Sequence, residues 1–193
     1  MTSACDDNTL IFYHVVGIDP DEESGFINAV TRLPQILVRP PLGVEIQVRP
    51  LPTQAYGVVE SIASGCSLPE GISDARFELL DVPGCRTFIV TACRNDHPLA
   101  QLARKGNPKA VWGATCGRFA LVYNLGNPYG VWHEALHLLR AQDCYTADDD
   151  GPTCELQNCI MQYAATHETV GDWPFLCAPN CDRVRRFVRG IAP

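Results

Sequence analysis

The segment His133-Glu134-Ala135-Leu136-His137 constrains this chain more than any other. It lies in a stretch written as a helix. Asn127 is placed to cap it, Pro128 suits its first turn, and Trp132, Ala135, Leu136 and Leu139 recur at helical spacing as an apolar stripe. A helix with such a stripe lies on a core, and His133 and His137, four residues apart, then share one face, one above the other. Imidazoles so placed reach a single zinc ion at about 2.0–2.1 Å. Glu134 is offset around the helix, so it meets a water at that ion rather than the ion itself. Zinc brings such a water's pKa down to about 7, and a carboxylate can take its proton. Attack on a carbonyl would then need no protein nucleophile. The same five-residue string also arises in helices that bind nothing. Here the preceding strand, the cap and the stripe give it a folded context.

A catalytic zinc takes three protein ligands and keeps one position open. Asp143, just past the expected helix end, is the candidate third ligand. Asp148, Asp149, Glu155, His167 and Asp172 are its rivals. The run over residues 148–151 reads better as a solvated turn, and His167 as an exposed loop histidine.

The rest of the chain supplies a sheet. Residues 9–18 (TLIFYHVVGI) are β-branched and aromatic and read as a strand. Residues 21–33 carry Phe26, Ile27, Val30 and Leu33 at helical spacing, and the pattern stops at Pro34. Residues 43–48 and 85–93 read as strands, as does the run 114–123, with Gly117 marking a bulge. Residues 51–84 are expected to be mostly loop with one short strand or helical turn. A short helix is expected over 182–189. The fold class is therefore α+β, with a seam just after Arg140 between residues 1–143 and residues 144–193 of one domain.

Composition narrows the function. The chain has 193 residues, enough for one domain or one split by a cleft. With 46% hydrophobic and 19% charged residues it is not a disordered chain. No apolar run approaches the roughly 18 residues of a spanning helix, so no membrane is expected. Fifteen basic against 22 acidic residues give a net charge of −7, which lacks the field that binds phosphate backbones, so no nucleic acid is expected. The first eight residues are polar, with Asp6 and Asp7 and no basic run, so they are no signal peptide. The chain reads as cytoplasmic by default, or as the mature form of a secreted protein.

Residues 133–143 resemble the extended HExxHxxGxx(H/D) signature of the metzincin zinc endopeptidases, and residues 159–163 (CIMQY) are similar to their Met-turn. Within that clan the cysteines resemble the archaemetzincin pattern, with Cys144, Cys159, Cys177 and Cys181 in matching places. The resemblance implies a twisted mixed N-terminal sheet with two long helices, an active-site cleft, and a small irregular C-terminal subdomain ending in a helix. It implies a catalytic zinc on His133, His137 and Asp143, with Glu134 as general base. Met161 would floor the site and Tyr163 would stabilise the oxyanion, although a plain buried aromatic is the other reading of Tyr163. A peptide or protein substrate would lie along the strand at 114–122. Cys144, Cys159, Cys177 and Cys181 would hold a second, structural zinc. Among ten cysteines the same residues, with Cys154, also read as disulfide partners.

The chain departs from the pattern at Arg140, which replaces the glycine, and at Asp143, which replaces the third histidine. It departs again in the longer spacing from Cys144 to Cys159 and in the C-x₃-C pair at the end. Besides a zinc endopeptidase, the sequence therefore admits a catalytically weak zinc-binding module of the same fold. It also admits a metal hydrolase of small peptides or amides.

Overall fold

Strand β1 (Thr9–His14) opens the fold. Helices α1 (Pro20–Thr31) and α2 (Leu33–Leu37) follow, and then β2 (Ile46–Pro50), β3 (Arg86–Ala92), β4 (Gly113–Cys116) and β5 (Phe119–Val122). Helices α3 (Pro128–Leu138) and α4 (Ala178–Val188) come next among the described residues. The computed structural model describes residues 9–15, 19–57, 59, 81–92, 101, 113–123, 128–144, 159–161 and 176–191.

The strands form one mixed five-stranded sheet in the order β2-β1-β3-β5-β4. All neighbours are parallel except β4 and β5. Strands β1 and β3 are buried almost throughout, as their unbroken apolar runs require of parallel strands covered on both faces. Alternation sorts their side chains. Ile11, Phe88 and Val90 enter the main core under the helices, while Leu10, Phe12 and Ile89 join Leu51 and Phe119 in a smaller core opposite.

Local chemistry explains the helix starts. Asp19 accepts from the Asp21 N–H at 2.9 Å, Pro20 takes the first turn, and Asp21, Glu22 and Glu23 meet the positive end of the α1 dipole. Helix α3 begins at Pro128, as the sequence indicates. Asn127, the expected cap, lies outside the described residues. The Trp132 indole N–H donates to the Ala29 carbonyl at 2.7 Å, which pins α3 to α1. Ala135, Leu136 and Leu139 are buried along the predicted stripe.

Three elements differ from expectation. Pro34 does not stop helical structure: α1 ends at Thr31, and Pro34 sits in the first turn of α2, where its missing N–H costs nothing. The run 114–123 is not one bulged strand but the hairpin β4–β5. Gly117 takes φ 58° at the first position of its two-residue turn, the conformation a tight hairpin demands. Helix α4 begins at Ala178, four residues earlier than expected, with an extended Cys177 as a cap that makes no side-chain bond. Its start therefore carries no Ser, Thr or Asp signal. Among the described residues no helix is long and apolar enough to cross a membrane.

Candidate metal centre

The site begins where α3 ends. The Arg140 N–H bonds to the His137 carbonyl at 3.0 Å and the Ala141 N–H to the Leu136 carbonyl at 3.1 Å, the paired bonds of a Schellman turn. Arg140 occupies its left-handed position with φ 72°, where a side chain costs about 1–2 kcal/mol. The guanidinium lies 5.6 Å from the Phe187 ring, a cation–π contact that offsets part of that cost. The departure at Arg140 thus leaves the turn intact, and the chain reverses so that Asp143 faces the two histidines.

Three donor atoms meet there. His133 Nε2 and His137 Nε2 are 3.0 Å apart, and Asp143 Oδ1 lies 3.1 Å from the first and 3.2 Å from the second. Three ligands of one tetrahedral zinc at about 2.0–2.1 Å stand roughly 3.3 Å apart, so the donor set fits that ion with little adjustment. The outer partners fit as well. His133 Nδ1 pairs with the Ile160 carbonyl and His137 Nδ1 with the Ala141 carbonyl, each at 2.9 Å. A carbonyl only accepts, so each Nδ1 carries the proton and each neutral ring turns an Nε2 lone pair to the centre. Two lone pairs and a carboxylate oxygen at this spacing call for a cation among them.

Without a metal, the centre raises the proton affinity of His137. Burial pushes the His137 imidazolium down, but the Asp143 hydrogen bond and charge, with that of Glu134, carry the ring above its ordinary value. Burial raises the Asp143 carboxyl, yet the hydrogen bonds and charges of both histidines hold it well below the usual range. Metal and proton therefore compete for one place.

Glu134 is buried beside this centre, its carboxyl raised by burial, against which His133 and the Thr115 hydrogen bond pull down. The Thr115 hydroxyl donates to Glu134 Oε2 at 2.8 Å. Tyr123, just past β5, is also raised, first by burial and then by the charge of Glu134. Neither Thr115 nor Tyr123 was indicated by the sequence.

A second cluster lies behind the first. Cys144 Sγ is 3.5 Å from Cys159 Sγ and 3.6 Å from Cys177 Sγ, and all three are buried. A disulfide bond is about 2.05 Å, so these are unbonded sulfurs, whereas thiolates on one zinc at about 2.3 Å stand roughly 3.8 Å apart. Cys85, by contrast, is disulfide-bonded. Burial pushes the Cys159 thiol up to about 11. Cys181 does not join the trio. It too is buried, but its Sγ meets the Leu176 carbonyl at 3.4 Å.

The two clusters share their scaffold. Met161 is fully buried, and its carbonyl accepts from the Cys144 N–H at 2.8 Å. Its neighbour Ile160 supplies the carbonyl on His133. Asn180, on α4, is buried and clamps the backbone of Gln142: its Oδ1 accepts from the Gln142 N–H at 2.9 Å and its Nδ2 donates to the Gln142 carbonyl at 2.8 Å. The same Nδ2 lies 3.4 Å from Cys144 Sγ. Sequence reading had no means to find Asn180, because its partners are 36 and 38 residues away. Asn180→Ala is expected to cost about 1–3 kcal/mol in urea denaturation, since it unpairs two backbone groups. Zinc affinity at the histidine site should fall about 10–100-fold, as for lost outer partners of a metal. Unchanged affinity would show that the clamp does not position Asp143.

Tyr163 and the rival ligands Asp148, Asp149, Glu155, His167 and Asp172 lie outside the described residues. No protein-family model matches the chain, and no curated protein matches it. Among solved structures, the chain is similar to the crystal structure of archaemetzincin from Methanopyrus kandleri. The two are 15% identical, the alignment covers 97% of this chain and 99% of that one, and the TM-score is 0.47. At so loose an overlap, the chemistry of this site rests on its own residues.

Proposed function

We infer that the protein is a zinc-dependent hydrolase, and specifically an endopeptidase that cleaves peptide bonds with Glu134 as general base. The observation that carries this reading is the meeting of His133 Nε2, His137 Nε2 and Asp143 Oδ1 within 3.2 Å, each imidazole oriented by a backbone carbonyl. Zinc, when held there, supplies Lewis-acid polarisation of a carbonyl and makes water an adequate nucleophile near neutral pH.

The chain's own groups do the rest. Glu134 takes the water's proton at its carboxylate and returns it to the leaving amine; its raised affinity for a proton suits both halves of that task. Tyr163 would donate to the oxyanion and Met161 would floor the metal. Among the described residues strand β4 ends the sheet, so an extended peptide adds to its outer edge through backbone hydrogen bonds. Cys144, Cys159 and Cys177 would hold a second zinc as thiolates. The substrate is a peptide or protein rather than a nucleic acid, in keeping with the net charge of −7.

The test is to incubate the purified protein with a peptide library and an unfolded protein, and to map the new ends. Internal cleavage that a chelator stops and zinc restores is the expected result. Cleavage confined to dipeptides would make it a small-peptide hydrolase. Zinc binding without turnover would make it a binding module.

A further inference from the structure

Glu134 sits against strand β4. Gly113 and Thr115 are two residues apart on that strand, so both face α3. A Cβ added to Gly113 would overlap Glu134 Cγ and stand 2.5 Å from Cδ and 2.6 Å from Oε1. Separations under 3.0 Å are contacts that real Cβ atoms do not make, so only glycine leaves room for the carboxylate here. From the other side, the Thr115 hydroxyl is 2.8 Å from Glu134 Oε2 and 3.3 Å from the Glu134 backbone carbonyl. The hydroxyl has one proton, and the shorter, charged acceptor takes it. Register fixes the pair: Gly113 stands opposite Val122 and Thr115 opposite Ala120 of β5, so neither can slide without breaking the hairpin.

The geometry points to Gly113 and Thr115 as positioning residues that hold the Glu134 carboxylate in its reactive orientation, through a glycine notch and a hydroxyl tether on the edge strand. The inference rests on the peptidase reading for its catalytic consequence and on the β4–α3 contact alone for the tether. Neither residue is needed to bind the metal. A peptide adding to β4 would therefore dock on the strand that aims the base, which links substrate binding to the orientation of the carboxylate.

The experiment compares Thr115→Val, Thr115→Ser and Gly113→Ala in the zinc-loaded protein. Thr115→Val keeps the shape and removes the donor; kcat should fall about tenfold to a hundredfold with KM and zinc content unchanged. Thr115→Ser restores the donor and should return kcat to within about threefold. Gly113→Ala should lower kcat at least as far as Thr115→Val; since that variant is the one at risk of misfolding, the two threonine variants carry the decision. A second readout needs no activity. In a double-mutant cycle of Thr115→Val and Glu134→Ala followed by urea denaturation, the two changes should be non-additive. A Thr115→Val enzyme within twofold of wild-type kcat, or a serine variant as impaired as the valine variant, overturns the catalytic role. Additive stabilities overturn the tether itself. Should wild-type protein cleave nothing while the cycle still shows coupling, the peptidase reading fails and the tether stands as a structural contact.

Discussion

Glu134→Gln should lower kcat by about 10²–10⁴-fold, the range a general base contributes, while zinc stays bound. The same change should make the zinc-free protein more stable at neutral pH. Burial holds the Glu134 carboxyl above its ordinary value of 4.5, so the folded state prefers the protonated form more than the unfolded chain does. Stability from such a group is complete below the ordinary carboxylate range and is lost as pH rises through the elevated folded value. Glutamine escapes that loss. The gain in melting temperature should therefore be present at pH 7 and vanish below about pH 4, the unfolded range for Glu. Each 1 kcal/mol so gained is worth about 2–4 °C for a chain of this size. Full activity in the variant would remove Glu134 as the base, and a melting temperature that falls at pH 7 would show that burial does not strain it.

Asp143→Ala should be the most damaging change to metal binding among the acidic residues. It removes one of the three donors that stand within 3.2 Å, so zinc affinity at the histidine site should drop by more than the roughly hundredfold that an outer partner alone can cost. Turnover should be lost with the ion. In the zinc-free protein the pH signature is opposite to that of Glu134. The imidazoles hold the Asp143 carboxyl below its ordinary value of 3.8, so it stabilises the fold above the ordinary Asp range and loses that effect as pH falls through the depressed one. Asp143→Ala should accordingly destabilise the zinc-free fold at pH 7 and matter less as pH falls below about 4. Titration with zinc under competition from a chelator reads the affinity, and melting curves across pH read the linkage. Asp148→Ala and Asp149→Ala serve as controls and should leave zinc affinity unchanged.

What the sequence discloses and what it hides follow from how far apart the cooperating residues lie. His133, Glu134 and His137 are legible because helical periodicity places them on a face without reference to anything else. Asp143 is legible because it comes a fixed short distance after a helix end, and a Schellman turn brings it back even with Arg140 in place of glycine. The parallel strands β1 and β3 announce themselves as unbroken apolar runs. The hairpin β4–β5 does not, because its strands of four residues each fuse into one apolar run and a single glycine serves equally as a bulge or a turn. Pro34 misleads in the same way: it ends one helix pattern and also suits the first turn of another. Gly113, Thr115 and Asn180 are beyond local reading altogether. Each matters through a partner 19 or more residues away, and each looks in isolation like an ordinary loop, strand or helix residue. The fourth cysteine shows the limit of spacing as a guide. Cys177 and Cys181 are close in sequence, yet only Cys177 meets Cys144 and Cys159 at sulfur.

The most direct test of the central claim is a crystal structure of protein purified without chelator, with anomalous data collected on both sides of the zinc absorption edge. The account predicts a zinc peak within about 2.0–2.2 Å of His133 Nε2, His137 Nε2 and an Asp143 oxygen, with Glu134 nearby but not bound to it. A second peak is predicted among Cys144, Cys159 and Cys177. No peak between the histidines, even after soaking with zinc, would contradict the account and leave the imidazole pair as a structural contact with Asp143.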